Sequence, residues 1–253
     1  MKLLFLGSGS SFSRLENNYQ SNMVLQSDSG KRLLIDCGTD IRHSLGHAGL
    51  TYLDIDGVYI SHFHADHAGG LEWLAFASKF DPKAKKPKLY IHPTMIDILW
   101  THGLSAGLQS LYEEKATIHT YFNPQTLVNE NSFSWENIEF QLVRTIHVYN
   151  DKQLVPSYGL FFTDGQSNVF ITTDTQFKPQ EYMEFYHKAD VIFHDCEISE
   201  QLNPVHSNYI DLITLDSSIK SKMWLYHYSA YQLPDAKGQG FKGFVQRGQV
   251  FDF

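Results

Sequence analysis

The chain has 253 residues, a formal net charge of −8 and 42% hydrophobic residues, with a mass of 29.1 kDa and a pI near 5.9. That length suits one large α/β domain over residues 1–253, and the acidic balance argues against stable binding to nucleic acid, although not against a nucleotide held through metal ions. The apolar run in MKLLFLGSGSS is too short for a signal peptide or a membrane span, and two cysteines, Cys37 and Cys196, make no disulfide framework. A reduced cytoplasmic protein is expected, with no membrane partner.

In chain order, short β-rich runs recur at KLLFLG, NMVLQS, KRLLIDCG, GVYIS and KLYIH, then at IEFQLVRTI, YGLFFT, NVFITTD, DVIFHDCE and MWLYHYS. Amphipathic helical stretches interleave at IRHSLGHAGL, LEWLAFASKF, PTMIDILWTH, PQEYMEFYH and YIDLITLDSSIKS. Several strands follow one another directly, as hairpins do. The mixture predicts sheets sandwiched by helices rather than a simple doubly wound sheet. DPKAKKPK reads as a solvated loop, and ATIHTYF as a strand-like run.

The densest chemistry lies in SHFHADHAGG, residues 61–70, where the chain leaves the GVYIS strand. His62 and His64 are two residues apart, so an extended segment sends them the same way. Asp66 and His67 fall where the next helix starts and can face a neighbouring point. Neutral imidazoles with a carboxylate suit zinc and related divalent ions. Two adjacent clusters imply two ions about 3.5–4 Å apart, the spacing of hydrolytic metal pairs.

Two ions need more ligands, and three residues end predicted strands: His147 after FQLVRTI, Asp174 in NVFITTD, and His227 after MWLY. His43, His47, His102 and His187 sit in helical stretches and read as surface or packing residues. His92, before Pro93, reads as a helix cap.

These residues resemble the metallo-β-lactamase fold family. SHFHADHAGG is similar to its H-x-H-x-D-H signature, LLIDCG with Asp36 to the element before it, and His147, Asp174 and His227 follow in the matching order. The resemblance runs from Met1 to GQVFDF and implies an α/β fold, the αβ/βα four-layer sandwich. It also implies two divalent ions, zinc first, with manganese or iron as alternatives. Family geometry gives His62, His64 and His147 to one ion, Asp66, His67 and His227 to the other, and Asp174 to both.

Within this superfamily FLGSGSS and HYS resemble the phosphodiesterase branch that includes tRNase Z. FHDCE is similar to the branch's His-Glu-Ala-Thr element, with Asp195 where that enzyme carries glutamate. No basic arm for holding tRNA is evident. The whole sequence most resembles the anti-Pycsar proteins, which hydrolyse cyclic nucleotide monophosphates and so remove a bacterial immune messenger. NYQSNMVL, SLYEEKATIHTYF and GFKGFVQRGQVFDF fit that family. The resemblance implies a cyclic mononucleotide as substrate and pairing as a homodimer, for which MIDILWTHGLSAGLQSLY offers an apolar surface.

For the chemistry, Asp66 binds metal and orients or deprotonates water, while Glu72 and His119 are candidate donors of the proton that the leaving oxygen needs. Tyr112, Phe122, Tyr149 and Tyr158 are candidates for stacking on a base, and Ser10, Ser11 and Asn22 for touching phosphate. Cys196, between Asp195 and Glu197, is not expected to be nucleophilic. A tRNA 3′-processing nuclease and a protein that sequesters a nucleotide without cleaving it are the competing readings.

Overall fold

The computed structural model describes residues 1–13, 18–125, 127, 131–199, 201, 203–229 and 232–253. The apolar runs of the N-terminal half become β1 (Lys2–Phe5), β2 (Met23–Gln26), β3 (Arg32–Ile35), β4 (Gly57–Tyr59) and β5 (Lys88–Tyr90). Those of the second half become β8 (Ile138–Arg144), β9 (Tyr158–Thr163), β10 (Asn168–Ile171), β11 (Val191–Asp195) and β12 (Met223–Tyr226). Four short strands complete the sheets: β6 (Asn123–Pro124), β7 (Ser132–Trp135), β13 (Gly243–Phe244) and β14 (Val250–Asp252).

Two seven-stranded sheets result, ordered β14-β1-β2-β3-β4-β5-β6 and β13-β12-β11-β10-β9-β8-β7. The first sheet is antiparallel from β14 through β3 and parallel from β3 through β6; the second is antiparallel from β7 through β10 and parallel from β10 through β13.

The helices are α1 (Ile41–His47), α2 (Ala65–Ala68), α3 (Leu71–Phe80), α4 (Pro93–Ile98), α5 (Ser105–Leu108), α6 (Ile118–Tyr121), α7 (Pro179–Lys188), α8 (Tyr209–Leu212) and α9 (Ser217–Lys220). A π-helical turn, Leu99–Leu104, joins α4 to α5. His92 caps α4, accepting from Thr94 N, as its place before proline predicts. The ATIHTYF run is helical, not strand-like: Thr117 and Thr120 form a reciprocal cap that starts α6. None of the helices among the described residues is long and apolar enough to cross a membrane.

Side-chain alternation explains the layering. Val169 and Ile171, Phe193 and Tyr226 turn into the core shared with the first sheet, whereas Phe170, Ile192, Met223 and Leu225 turn outward into a second core with Tyr182 and Tyr186 of α7, Leu212 of α8 and Ile219 of α9. Strands buried on both faces therefore read as near-continuous apolar runs. Ile41 and Leu45 of α1, with Leu71, Leu74 and Ala75 of α3, join the first core.

Aromatic pairs tie the sheets together: Phe5 lies 5.2 Å from Phe193 and 5.5 Å from Tyr226, and Tyr90 lies 4.5 Å from Phe133. The Tyr59 hydroxyl donates across the interface to the Tyr158 carbonyl at 2.7 Å. Full burial of each such ring contributes on the order of 2–3 kcal/mol.

Candidate metal centre

The site lies where strands from both sheets end. Just past β3, β10 and β12 the backbone enters the left-handed region at Asp36 (φ 62°), Thr173 (φ 52°) and His227 (φ 66°). Such angles cost roughly 1–3 kcal/mol each and persist only where the surroundings enforce them. Here they turn three strand ends sharply towards one point. Gly38 follows, and a Cβ there would stand 2.2 Å from the Asp66 carbonyl, so only glycine lets this loop lie against α2. Cys37 N donates to the His67 carbonyl and Gly70 N to the Cys37 carbonyl, fastening loop to helix.

Two sets of donor atoms converge on Asp174, and a third group, Asp174, Asp195, His206 and His227, overlaps the second. In the first, His64 Nδ1 lies 3.1 Å from both His62 Nε2 and His147 Nε2, and Asp174 Oδ2 lies 3.7 and 3.6 Å from those two nitrogens. In the second, Asp66 Oδ2 is 3.2 Å from both His67 Nε2 and His227 Nε2, with Asp174 Oδ1 at 3.3 and 3.4 Å from the same nitrogens. A tetrahedral ion with bonds near 2.1 Å puts its ligand atoms about 3.3–3.5 Å apart, so both sets fit. Each set holds three residues besides Asp174, whose Oδ2 faces the first and whose Oδ1 faces the second. His67 Nε2 and Asp174 Oδ1 are buried without a hydrogen bond, which is costly unless a cation satisfies them. The donor sets are thus of a kind suited to divalent metal.

The far sides of the rings are anchored. His67 Nδ1 donates to Asp36 Oδ2 at 2.7 Å, and Asp36 is itself held by the backbone and hydroxyl of Ser61. His147 Nδ1 donates to the Val205 carbonyl at 2.7 Å, and His62 Nδ1 pairs with Ser61 Oγ at 3.0 Å. Each bond fixes the tautomer that leaves Nε2 free for an ion.

Electrostatics separates the halves. Burial pushes His62, His64 and His147 down, keeping them neutral near pH 7. Burial also opposes charge on His67 and His227, but the carboxylates around them, Asp174 foremost, outweigh it and hold both well above the usual imidazole range. Reciprocally, burial opposes ionisation of Asp66 and Asp174, yet the neighbouring imidazoles hold both below the usual carboxylate range.

Beside the second half lies a residue that the sequence reading passed over. His206 Nδ1 is 2.8 Å from Asp195 Oδ2, and Asp195 Oδ1 is 3.3 Å from His227 Nδ1. Burial tends to lower His206, but Asp195 outweighs it and raises the ring, while Asp195 itself falls to about 2. Asp195 thus places a carboxylate beside the centre, paired with His206. The segment carrying His206 is fixed by Ser207 Oγ donating to the Thr175 carbonyl and by Glu197 N donating to the Ser207 carbonyl. Its neighbour Val205 is the residue that orients His147. The signal was elimination: the sequence assigns every histidine a task except His194 and His206, and His194 is buried against Tyr186.

The remaining sequence candidates go elsewhere. Glu72 is exposed on the first turn of α3, His119 is exposed on α6, and neither belongs to a cluster that could hold metal. Asn22 is buried and buttresses the metal loop, donating to the Asp66 carbonyl and accepting from Gly38 N. Ser10 is buried and Ser11 exposed. Phe122 is a core residue; Tyr158 is buried and stacks on His92, while Tyr112 and Tyr149 are exposed. Cys196 is buried, with its thiol pushed up by burial and by Asp195 and Glu197.

Fold and site together define a metallo-β-lactamase-fold protein with a centre suited to divalent metal. Its structure is similar to YhfI of Bacillus subtilis, with a TM-score of 0.76 at 19% identity over 99% of both chains. It is likewise similar to the short form of human tRNase Z, with a TM-score of 0.69 at 19% identity over 100% of this chain and 99% of that one. The chain belongs to the anti-Pycsar Apyc1 family, whose profile, described as "Anti-Pycsar protein Apyc1", matches residues 1–251. A relative of that name from Paenibacillus harenae is 34% identical over 230 residues, covering 90% of each chain.

Proposed function

We propose that this protein is a binuclear metal-dependent phosphodiesterase that hydrolyses 3′,5′-cyclic nucleotide monophosphates to nucleoside 5′-monophosphates, and so counters cyclic-nucleotide signalling against phage. The observation that carries the reading is the pair of donor sets sharing Asp174, with the Asp195–His206 pair beside them in a chain of this family. Bound divalent ions supply Lewis acidity towards the phosphate and make water nucleophilic near neutral pH. Zinc suits the tetrahedral nitrogen and oxygen donors.

The protein's own residues do the rest. Asp66 and Asp174 hold negative charge at the second half, and Asp36, Ser61 and Val205 keep the rings aimed. Opening the ring adds water across the P–O3′ bond, and the departing oxygen needs a proton. His206 is the donor in this reading, in preference to Glu72 and His119. Asp195 grips its Nδ1 and raises its proton affinity, so that Nε2–H is available near neutrality. Asp195 therefore serves as the positioning carboxylate.

Homodimer formation through residues 95–112 and a cytoplasmic setting belong to the same proposal. The test is incubation of the metal-loaded protein with a panel of cyclic mononucleotides, a tRNA precursor and a β-lactam, with and without chelator. Chelator-sensitive release of a 5′-monophosphate supports the reading. Cleavage of tRNA alone, or stoichiometric protection of an intact cyclic nucleotide, overturns it.

A further inference from the structure

Glu197 belongs to neither donor set and takes no part in the proton route, yet it is only 7% exposed and stands two residues past Asp195. A carboxylate leaves water at a cost, so the groups that hold it there matter. Its Oε1 collects three donors: the backbone N–H groups of Ile198 and Ser199 at 2.7 and 2.8 Å, and Ser229 Oγ at 2.8 Å. Ser229 lies two residues beyond His227, as Glu197 lies two beyond Asp195. Strands β11 and β12 run parallel with Asp195 beside Tyr226. The contact between Asp195 Oδ1 and His227 Nδ1 is therefore followed, one step further out, by that between Glu197 and Ser229.

The backbone of Glu197 grips the other side. Its N–H donates to the Ser207 carbonyl and its carbonyl accepts from Tyr209 N, both at 2.8 Å, which fixes the residues flanking Asn208. Asn208 in turn ties down the approach to His206: its Oδ1 accepts from Asn203 N, its Nδ2 donates to the Asn203 carbonyl, and Asn203 Oδ1 accepts from Val205 N. This segment brings His206 to Asp195. Hydrogen bonds to a charged acceptor are about twice as strong as those between neutral groups. The carboxylate thus fastens the base of the His206 segment to the end of the His227 strand more firmly than an uncharged side chain would.

We propose that Glu197 is a positioning residue that keeps the His206 ring seated on Asp195, aimed to deliver its proton. Glu197 acts only through that ring and touches no reacting atom. The assignment rests on the phosphodiesterase reading for the destination of the proton, while the seating of the ring is testable apart from turnover.

Turnover of a cyclic mononucleotide at saturating zinc is measured for the native chain, Glu197→Ala, Glu197→Gln and Ser229→Ala, and for Glu197→Ala in a His206→Ala background. Glu197→Ala lowers kcat by about 10–100-fold, the scale of a misplaced reacting group, with KM and bound zinc within about twofold of native. Glu197→Gln keeps an acceptor oxygen for the same three donors and stays within about threefold of native. In the His206→Ala background the further loss from Glu197→Ala is under about twofold, because the group it positions is gone. The ring itself is followed by NMR of zinc-loaded protein carrying isotope-labelled histidine. The Nδ1–H proton that His206 donates to Asp195, assigned by its absence in His206→Ala, persists in Glu197→Gln and is broadened or lost in Glu197→Ala. An unaltered Nδ1–H signal in Glu197→Ala, native kcat there, or an equal loss in the His206→Ala background overturns the assignment. If Glu197→Ala does not fold, Ser229→Ala, which removes one of the three donors, carries the test: a weakened signal with kcat lowered about threefold supports the role, and native values of both overturn it. If the signal responds but no cyclic nucleotide is cleaved, the seating role stands and the phosphodiesterase reading falls. If cleavage proceeds and the signal does not respond, the reverse follows.

Discussion

His62, His64 and His147 face one oxygen of Asp174, and Asp66, His67 and His227 face the other, yet the two halves are prepared for a cation by different routes. The first presents three buried, neutral imidazoles whose lone pairs are ready for an ion. The second has two carboxylates that pull protons onto His67 and His227 when no metal is present. An ion entering the second half must displace those protons, and gains the stronger attraction of the two carboxylates in return. The difference teaches that one fold can hold a tight cluster of acids and imidazoles together before metal arrives, with protons serving as the temporary cations.

The comparison breaks most completely at the shared bridge. Asp174→Asn removes the charge from both halves at once, and turnover is expected to fall by at least about 10³-fold, with bound metal per chain reduced in both halves. Elemental analysis beside kinetics reads both effects. Retention of two ions with full turnover would show that the bridge is not what joins the halves.

His206→Ala probes the proton route without touching either donor set. Turnover should fall by roughly 10²–10³-fold while bound metal stays unchanged. A donor must carry its proton, so native activity declines as pH rises through the raised value of His206, and the variant lacks that alkaline limb. A pH profile that keeps its limb in the variant assigns the proton elsewhere.

Asp36→Asn sharpens the comparison within the second half. Loss of the partner of His67 Nδ1 should weaken one ion by about 10–100-fold and leave the other nearly untouched. Stepwise metal removal under graded chelator reads the two affinities; equal weakening of both would dissolve the distinction between halves.

The smallest effect is on stability and has opposite signs in the two halves. Groups whose folded value is raised, His67 and His227, contribute stability fully below about pH 6.5 and lose it as pH rises through the raised value. Groups whose folded value is lowered, His62, His64 and His147, subtract stability as pH falls below about 6.5. The depressed acids Asp66 and Asp174 lose their contribution below about pH 4. Thermal unfolding of chelated protein should therefore show a midpoint that declines from pH 7 to 9. Metal-loaded protein should not show that decline, because the ions replace the protons. A flat alkaline limb in the chelated protein would contradict the assignment of charge to the second half.

Much of the cluster was legible because its residues obey local rules. His62, His64, Asp66 and His67 are contiguous, and His147, Asp174 and His227 each follow an apolar strand, so motif and periodicity found them. His206 escaped because nothing local marks it; its place depends on hydrogen bonds from Ser207 to Thr175 and from Glu197 to Ser207, formed only in the folded chain. Asn22 was read as a phosphate contact, but a polar residue beside a Gly-Ser turn gives no sign that the Asp66 carbonyl will cover it. The ten longer apolar runs became strands, whereas Asn123–Pro124 and Gly243–Phe244 were invisible because such short strands owe their form to their neighbours. In ATIHTYF alternating β-branched and aromatic residues suggested a strand, but the Thr117–Thr120 cap prevailed over that propensity.

The central claim is tested most directly by adding zinc or manganese stepwise to metal-free protein and following bound ions per chain together with hydrolysis of a cyclic mononucleotide. The account predicts that turnover appears as ions bind and levels off at two per chain. A folded protein that binds no metal, or one whose turnover is complete without any, would contradict it.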